Sequence, residues 1–154
     1  MSTPIGTPSD PHDVLGYLLK HASAQFAAAS DAALEHRGIA SKDLGVLRVV
    51  ARLDLTSQLA LAETLGIDRT TMVGLLDELE RKGLVSRRPD PSDRRRNVAE
   101  LTAQGKRVYN AAEADYLAAE NGFLGVLSTD EGEAFRRSLR ALVAVPTQAE
   151  AASS

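Results

Sequence analysis

The feature that most constrains the fold of this 154-residue chain is a change in its hydrophobic pattern near residue 84. Before that point, apolar residues recur at the three- and four-residue spacing of amphipathic helices, and two short helical segments meet at Gly66. After it, segments 84–88 and 97–101 read as short strands, and the turn-forming sequence PDPSD between them predicts a β-hairpin. A pair of short helices followed directly by a hairpin is typical of a winged helix-turn-helix.

Capping residues and glycines divide the rest of the chain into further helices. Asp10 is a favourable N-cap for a first helix, and Gly38 predicts its end. Asp68 caps the second helix of the pair, and Ser128 followed by Glu131 forms a capping box. Helices are therefore predicted over about 12–35, from 41, from 56 or 57 to 66, over 68–82, over about 102–127 and from 128 to about 145.

These elements predict a mainly α-helical protein with a small β-hairpin wing and a winged helix-turn-helix core at 41–103. The flanking segments 11–36 and 104–145 carry apolar stripes broader than that core can cover, which predicts a dimerisation region shared with a second copy. The start of the chain, 1–10, is rich in proline, and the tail, 146–154, is small and polar. Both are expected to be flexible.

Several classes of protein are excluded by what the sequence lacks. No cysteine is present, which excludes disulfides, thiol nucleophiles and thiolate-bound metals. His12, His21 and His36 share no metal-ligand spacing, so we expect no metal site. No phosphate-binding loop, nucleophile elbow or HExxH motif is found, which predicts neither an enzyme nor a bound cofactor. Without a signal peptide or a long apolar run, we expect a cytoplasmic protein with no membrane contact.

Charge is distributed very unevenly along the chain. The formal net charge is −3, yet residues 81–96 hold seven arginine and lysine side chains against two aspartates, a local net charge of +5. One basic feature on an acidic body concentrates attraction for a polyanion on a single surface. The hairpin that carries this charge is therefore a candidate nucleic-acid contact.

Candidate DNA contacts lie at the start of the second helix of the pair and at the hairpin tip. Arg69 can reach guanine or a phosphate, and the hydroxyls of Thr70 and Thr71 can approach base edges or phosphates. Guanidinium groups on a thin hairpin suit the narrow minor groove. The predicted set comprises Ser57, Gln58, Arg69, Thr70, Thr71, Arg87, Arg94, Arg95 and Arg96. Since neighbours on a strand face opposite ways, at most one of Arg87 and Arg88 is expected to face DNA.

The central part of the sequence resembles a known family. From Leu55 to Gly105 it is similar to the MarR (multiple antibiotic resistance regulator) family of bacterial transcriptional regulators. The similar segments are ALAETLGI, DRTTMVGLLDELERKGLV and RRPDPSDRRRNVAELTAQG. The resemblance implies a dimer with interlocking first and last helices, a structural pair between Asp93 and Arg95 in the wing, and Arg94 in the minor groove. The chain departs from the family at Gly74, where an arginine is common, so base readout from mid-helix is expected to be weaker.

The resemblance also implies a small-molecule effector. Small aromatic or phenolic acids often bind members of the family between the dimer region and the winged helix. Tyr17 and His21, four residues apart on the first helix, are candidates for one wall of such a pocket; packing at the dimer interface is the alternative. Arg48 and Arg52 are candidates for a carboxylate clamp, or for ion pairs with Asp54 or with a partner's acidic residues.

Together these observations predict a homodimeric transcriptional regulator that binds a pseudo-palindromic operator in double-stranded DNA. Recognition helix 68–82 and wing 85–101 are its predicted DNA-binding elements. Repression is favoured over activation, with release by a small aromatic or phenolic ligand. The alternative is a winged-helix module for protein–protein contact without a ligand response, in which the acidic body is the active surface.

Overall fold

The computed structural model describes residues 10–53 and 56–144. This part of the chain contains six α-helices and three short strands. The helices are α1 (Leu15–Leu34), α2 (Ser41–Arg52), α3 (Gln58–Leu65), α4 (Arg69–Arg81), α5 (Ala103–Leu124) and α6 (Thr129–Val143). The strands are β1 (Thr56–Ser57), β2 (Val85–Pro89) and β3 (Asn97–Leu101). The predicted fold class is confirmed, whereas the predictions for 1–9 and 146–154 fall outside the described residues.

The first helix begins later than the sequence pattern predicts. Asp10 does act as a cap, because its carboxylate accepts a hydrogen bond from the His12 amide at 2.8 Å. The structure that it caps is a single 3₁₀ turn, Pro11–Asp13, after which Val14 is extended with ψ 132°. Helix α1 therefore starts at Leu15, and the predicted start near residue 12 is wrong.

Helices α2, α3 and α4 pack around one apolar core. Ser57 caps α3 by accepting from the Ala60 amide at 3.2 Å, and Gly66 ends it with φ +63°, a conformation that glycine adopts without steric cost. The turn between α3 and α4 thus contains Gly66, where the sequence predicts that two helices meet, and Asp68, the predicted cap of the second helix. The largest fully buried side chains of the core include Leu34, Leu44, Leu47, Leu61, Met72, Leu76 and Leu79.

The wing is a three-stranded antiparallel sheet in the order β1-β3-β2. Strand β3 has the predicted bounds, and β2 is shifted by one residue to 85–89. Strand β1 was not predicted: Thr56 pairs with Ala99 and Ser57 with Val98. This pairing fixes the edge of the sheet against the segment that starts α3, so the wing and the helix pair are directly joined.

A close backbone contact joins the wing to α5. Thr102 caps α5 by accepting from the Gly105 amide at 2.9 Å, and its own hydroxyl donates to the Gly83 carbonyl at 2.6 Å. A Cβ at Gly105 would overlap the carbonyl oxygen of Leu84. Only glycine therefore fits at this position without displacing the strand that begins the wing.

The described chain divides into two compact units, of which the first ends at Ala119 and the second begins at Glu120. The second unit contains the end of α5 and all of α6. Helix α5 ends at Leu124, three residues before the predicted end, and the predicted capping box is present: Ser128 and Glu131 each accept from the other's amide. Within this unit Arg136 forms an ion pair with Glu120. None of the helices in the described residues is long and apolar enough to cross a membrane.

Candidate nucleic-acid interface

Packing of α4 on the core determines which of its faces is available to a ligand. Met72, Leu76 and Leu79 are fully buried and form one stripe of the helix. Beyond its C-terminal end, Lys82 lies 3.4 Å from a carboxylate oxygen of the buried Asp43 on α2. Because these contacts hold α4 along its length, the opposite face is turned outward as a rigid surface.

The N-terminus of α4 is closed by a cap that also engages a predicted DNA contact. Asp68 accepts from the Thr71 amide at 2.9 Å and from the Thr71 hydroxyl at 2.5 Å, and these bonds lower the pKa of Asp68. The hydroxyl proton of Thr71 is therefore already donated to Asp68. The Thr71 side chain also lines a cleft, together with Lys82, on the α2 side of the helix. Thr70 and Arg69 are exposed, and among the described residues no carboxylate pairs with Arg69.

The tip of the wing is held by local hydrogen bonds. The Asp90 amide donates to the Arg96 carbonyl at 2.8 Å, and the Arg96 amide donates to the Asp93 carbonyl at 2.9 Å. Asp93 accepts from the Arg95 guanidinium at 3.1 Å, a bond that lowers the pKa of Asp93. Arg94 is exposed between these partners, and within the described part of the chain it has no ion-pair partner. The wing thus presents a single unpaired guanidinium on an ordered turn.

Arg87, one of the predicted DNA contacts, is engaged by carboxylates of α4. Its guanidinium is 2.6 Å from Asp77 and 2.5 Å from Glu80, both on α4, and its side chain is only 21% exposed. These contacts lower the pKa of Glu80. Arg87 thus joins the wing to α4 in this structure, and its contact with DNA stays a prediction. Its neighbour Arg88 faces the other side of the sheet and pairs with Glu100 at 3.3 Å.

The start of α3 contributes the remaining predicted DNA contacts. Ser57 is part of β1, and its hydroxyl oxygen is the α3 cap; Gln58 follows as the first helical residue, and both are half-buried. The N-terminus of a helix is a favourable place for a phosphate to bind, which is the role predicted for this segment.

The candidate effector residues form two separate sets of contacts. On α1, the Tyr17 and His21 rings stack with their centroids 3.9 Å apart, and His12 packs edge-on against Tyr17. On α2, Arg48 is bound by Glu113 of α5 through two hydrogen bonds of 2.6 and 3.1 Å. The Arg48 guanidinium also lies 4.4 Å from the ring centroid of Tyr116. Arg48 thus forms an ion pair with Glu113, a partner that the sequence did not indicate, whereas Asp54 lies outside the described residues.

Comparison with known proteins decides the family. A MarR-family sequence profile matches residues 42–96, which span the helix pair and most of the wing. The transcriptional regulator HosA of Escherichia coli O111:H- is 35% identical over 98 residues, which cover 64% of this chain and 73% of HosA. The chain belongs to the MarR family. Because the relatives that it matches are regulators of transcription, this protein is a DNA-binding regulator of transcription.

Solved MarR-family structures are similar over almost the whole chain. The repressor CouR bound to a 23-mer DNA duplex has a TM-score of 0.82 at 27% identity, covering 88% of this chain and 96% of that chain. CouR from Rhodococcus jostii RHA1 bound to p-coumaroyl-CoA has a TM-score of 0.78 at 29% identity, covering 91% and 99%. Both DNA and aromatic ligands are therefore bound by structural neighbours of this MarR protein.

Sequence reasoning missed the acidic residues that position the arginines of this MarR protein. Asp77 and Glu80 are exposed on α4, yet both bind Arg87. Glu113 lies 65 residues from Arg48 along the chain, and no local pattern links the two. The three-residue spacing of Asp77 and Glu80 does place both carboxylates on one side of the helix. That spacing alone does not identify Arg87 as their partner.

Proposed function

We propose that this MarR protein is a homodimeric repressor that binds a pseudo-palindromic operator and is released by a small aromatic or phenolic ligand. In this proposal α4 enters the major groove and the wing 85–101 enters the adjacent minor groove, as winged helices do. It acts in the cytoplasm, where bacterial DNA lies. The domains keep their predicted roles: 41–103 binds DNA, and 11–36 with 104–145 form the dimer.

The observation that carries the DNA-binding part is the geometry of the wing tip. Asp93 engages Arg95 and leaves Arg94 exposed without a carboxylate partner among the described residues. An unpaired guanidinium on a thin, ordered protrusion is suited to the negative potential of a narrow minor groove. Because Arg87 and Arg81 are engaged by carboxylates of α4 and Arg96 lies 3.7 Å from Asp93, Arg94 and Arg69 supply most of the unpaired positive charge of the interface.

Exposed apolar side chains support the dimer. On α1, Leu15, Leu18 and Leu19 are 66%, 46% and 43% exposed. On α6, Leu142 and Val143 are 64% and 83% exposed. Contiguous apolar surface of this kind is uncommon on a soluble monomer and marks an interface. We propose that each of these faces packs against a second copy, which would place two recognition helices about one turn of DNA, roughly 34 Å, apart.

The proposed effector site includes Arg48. Glu113 occupies its guanidinium in this structure, so an aromatic carboxylate would have to displace Glu113 and could use the Tyr116 ring as an apolar wall. The complex of CouR with p-coumaroyl-CoA supports an aromatic ligand as the class to test first. Tyr17, His21 and Arg52 remain proposed contributors to the same ligand response.

One set of measurements tests the proposal. Duplexes selected from random DNA by the purified protein are titrated by fluorescence anisotropy, with and without p-coumaroyl-CoA and a panel of phenolic acids. We expect two-fold-related half-sites in the selected DNA, a dimer by light scattering, and weaker DNA binding in the presence of at least one aromatic ligand. A monomer at micromolar concentration would contradict the dimer, and failure to select any duplex would contradict the function.

A further inference from the structure

The outward face of α4 has an unusual composition for a surface that reads DNA. Thr70, Gly74 and Asp77 lie on the helix face opposite the buried stripe, and Val73 borders that face on the side of Asp77. Gly74 also lines the α2-side cleft that contains Thr71. Thr70 and Gly74 are exposed, and Val73 is half-buried, outside the apolar core. A Cβ at Gly74 would meet nothing within 4 Å. At Gly74 this face therefore has no side chain, and the apolar groups beside that position are the methyl groups of Thr70 and Val73.

The charged residues beside this face are already engaged. Asp77 is bound to the guanidinium of Arg87 at 2.6 Å. Arg81 is bound to Glu78 through hydrogen bonds of 2.6 and 2.9 Å. An unbound aspartate could accept from the amino group of cytosine, and an unbound arginine could donate to guanine. With both engaged inside the protein, Arg69 and Thr70 in the first turn and Val73 one turn later are the side chains left to contact bases, and the apolar groups among them are the methyl groups of Thr70 and Val73.

We propose that Val73, with Thr70, reads thymine through contact with its 5-methyl group. Thymine is the one base that presents a methyl group in the major groove, and contact with apolar side chains is how proteins recognise it. The absent side chain at Gly74 lets the helix backbone approach the base edges closely enough for these short side chains to reach. This inference rests on the proposed function, because it requires α4 to lie in the major groove.

Deoxyuridine provides a direct test, because it pairs like thymine and lacks only the 5-methyl group. In a duplex selected from random DNA by the protein, each thymine is replaced in turn by deoxyuridine, and the dissociation constant is measured by fluorescence anisotropy. We expect one or two thymines in each half-site to lose affinity by about three- to fivefold per methyl group, the value of a buried methyl contact. Thymines under the wing are expected to be insensitive.

The variant Val73→Ala assigns the effect to its residue. It is expected to lose a similar factor on the thymine duplex and no further affinity when the sensitive thymine is replaced by deoxyuridine, as contacting partners do in a double-mutant cycle. Leu53→Ala is the control, because Leu53 is 46% exposed just after α2 and belongs neither to the proposed DNA contacts nor to the proposed dimer segments. It is expected to bind both duplexes like the wild type.

A second variant tests the close approach at Gly74. Gly74→Ala is expected to raise the melting temperature, because alanine favours the helix and its Cβ meets open space. The same variant is expected to bind the selected duplex several-fold more weakly. A stabilised protein with weakened binding would support the proposal, whereas unchanged binding would overturn the role assigned to Gly74.

The outcomes separate this inference from the function on which it rests. If the protein selects a duplex and every deoxyuridine replacement binds equally well, thymine recognition by Val73 is overturned and the proposed function stands. Equal losses for Val73→Ala on the thymine and deoxyuridine duplexes would overturn it in the same way. A protein that selects no duplex would overturn the proposed function, and this inference with it.

Discussion

Replacing Arg87 by glutamine distinguishes a residue that joins the wing to α4 from one that binds DNA. The guanidinium makes two ion pairs, at 2.6 Å to Asp77 and 2.5 Å to Glu80, and is 21% exposed, whereas its partners are 56% and 40% exposed. Exposed ion pairs contribute about 0.2–1 kcal/mol each, so partial burial places this pair of contacts at about 1–2 kcal/mol. For a chain of this length that loss lowers the melting temperature by about 2–8 °C.

Salt dependence of DNA binding gives the discriminating measurement. Each phosphate or groove contact by a cation adds about 0.9 to the slope of log affinity against log salt concentration. Arg87→Gln is expected to keep the wild-type slope, because its charge is already neutralised by Asp77 and Glu80. The matched variant Arg94→Gln is expected to keep the wild-type melting temperature, to lose about 1–3 kcal/mol of binding, and to lower the slope by about two in a dimer.

A slope reduced by about two in Arg87→Gln, at an unchanged melting temperature, would show that Arg87 leaves its carboxylates to bind DNA. A double-mutant cycle with Glu80→Gln measures the coupling directly. A coupling energy below about 0.3 kcal/mol would contradict the ion pair as a stabilising contact.

Three further predictions follow from contacts outside the DNA surface. Gly105→Ala is expected to destabilise the fold by about 1–3 kcal/mol in urea unfolding, because its Cβ would overlap the Leu84 carbonyl oxygen; unchanged stability would mean that strand and helix separate freely. Arg48→Gln and Glu113→Gln are expected to show a coupling of about 1 kcal/mol, and only the Arg48 variant is expected to lose the ligand response; equal ligand responses in both would contradict the site. The pKa of Glu80 lies below its ordinary value of 4.5 because Arg87 donates to it, so the stabilisation is complete above that value and is lost as the pH falls through the lowered pKa; a wild-type acid transition in Arg87→Gln would count against this.

The sequence by itself determined the elements that depend on local hydrogen bonds. Asp68 and Ser128 cap the helices that they were predicted to cap, and Ser57 caps the helix that was predicted to start at 56 or 57. Each of these side chains accepts from an amide three residues away. Gly66 ends α3 for an equally local reason, its positive φ. The hairpin and its turn also followed from short-range pattern and turn chemistry.

One prediction made from local pattern, the start of the first helix, is wrong. Asp10 is a good cap, and the sequence beyond it suits a helix, so the helix was predicted to start near residue 12. The structure closes one 3₁₀ turn there and starts α1 only after the extended Val14. A cap fixes where a turn begins, but packing decides whether the turn continues.

Only the tertiary structure decided the roles of the arginines and the third strand of the wing. Strand β1 has two residues, too few for a periodic signal, and it exists because Thr56 and Ser57 find partners in β3 about 40 residues later. Arg87 and Arg94 are alike in sequence, yet the packing of α4 against β2 brings Asp77 and Glu80 to one and no carboxylate among the described residues to the other. Charge on an arginine is a local property, whereas its availability to DNA depends on which distant side chains the fold brings within hydrogen-bond distance.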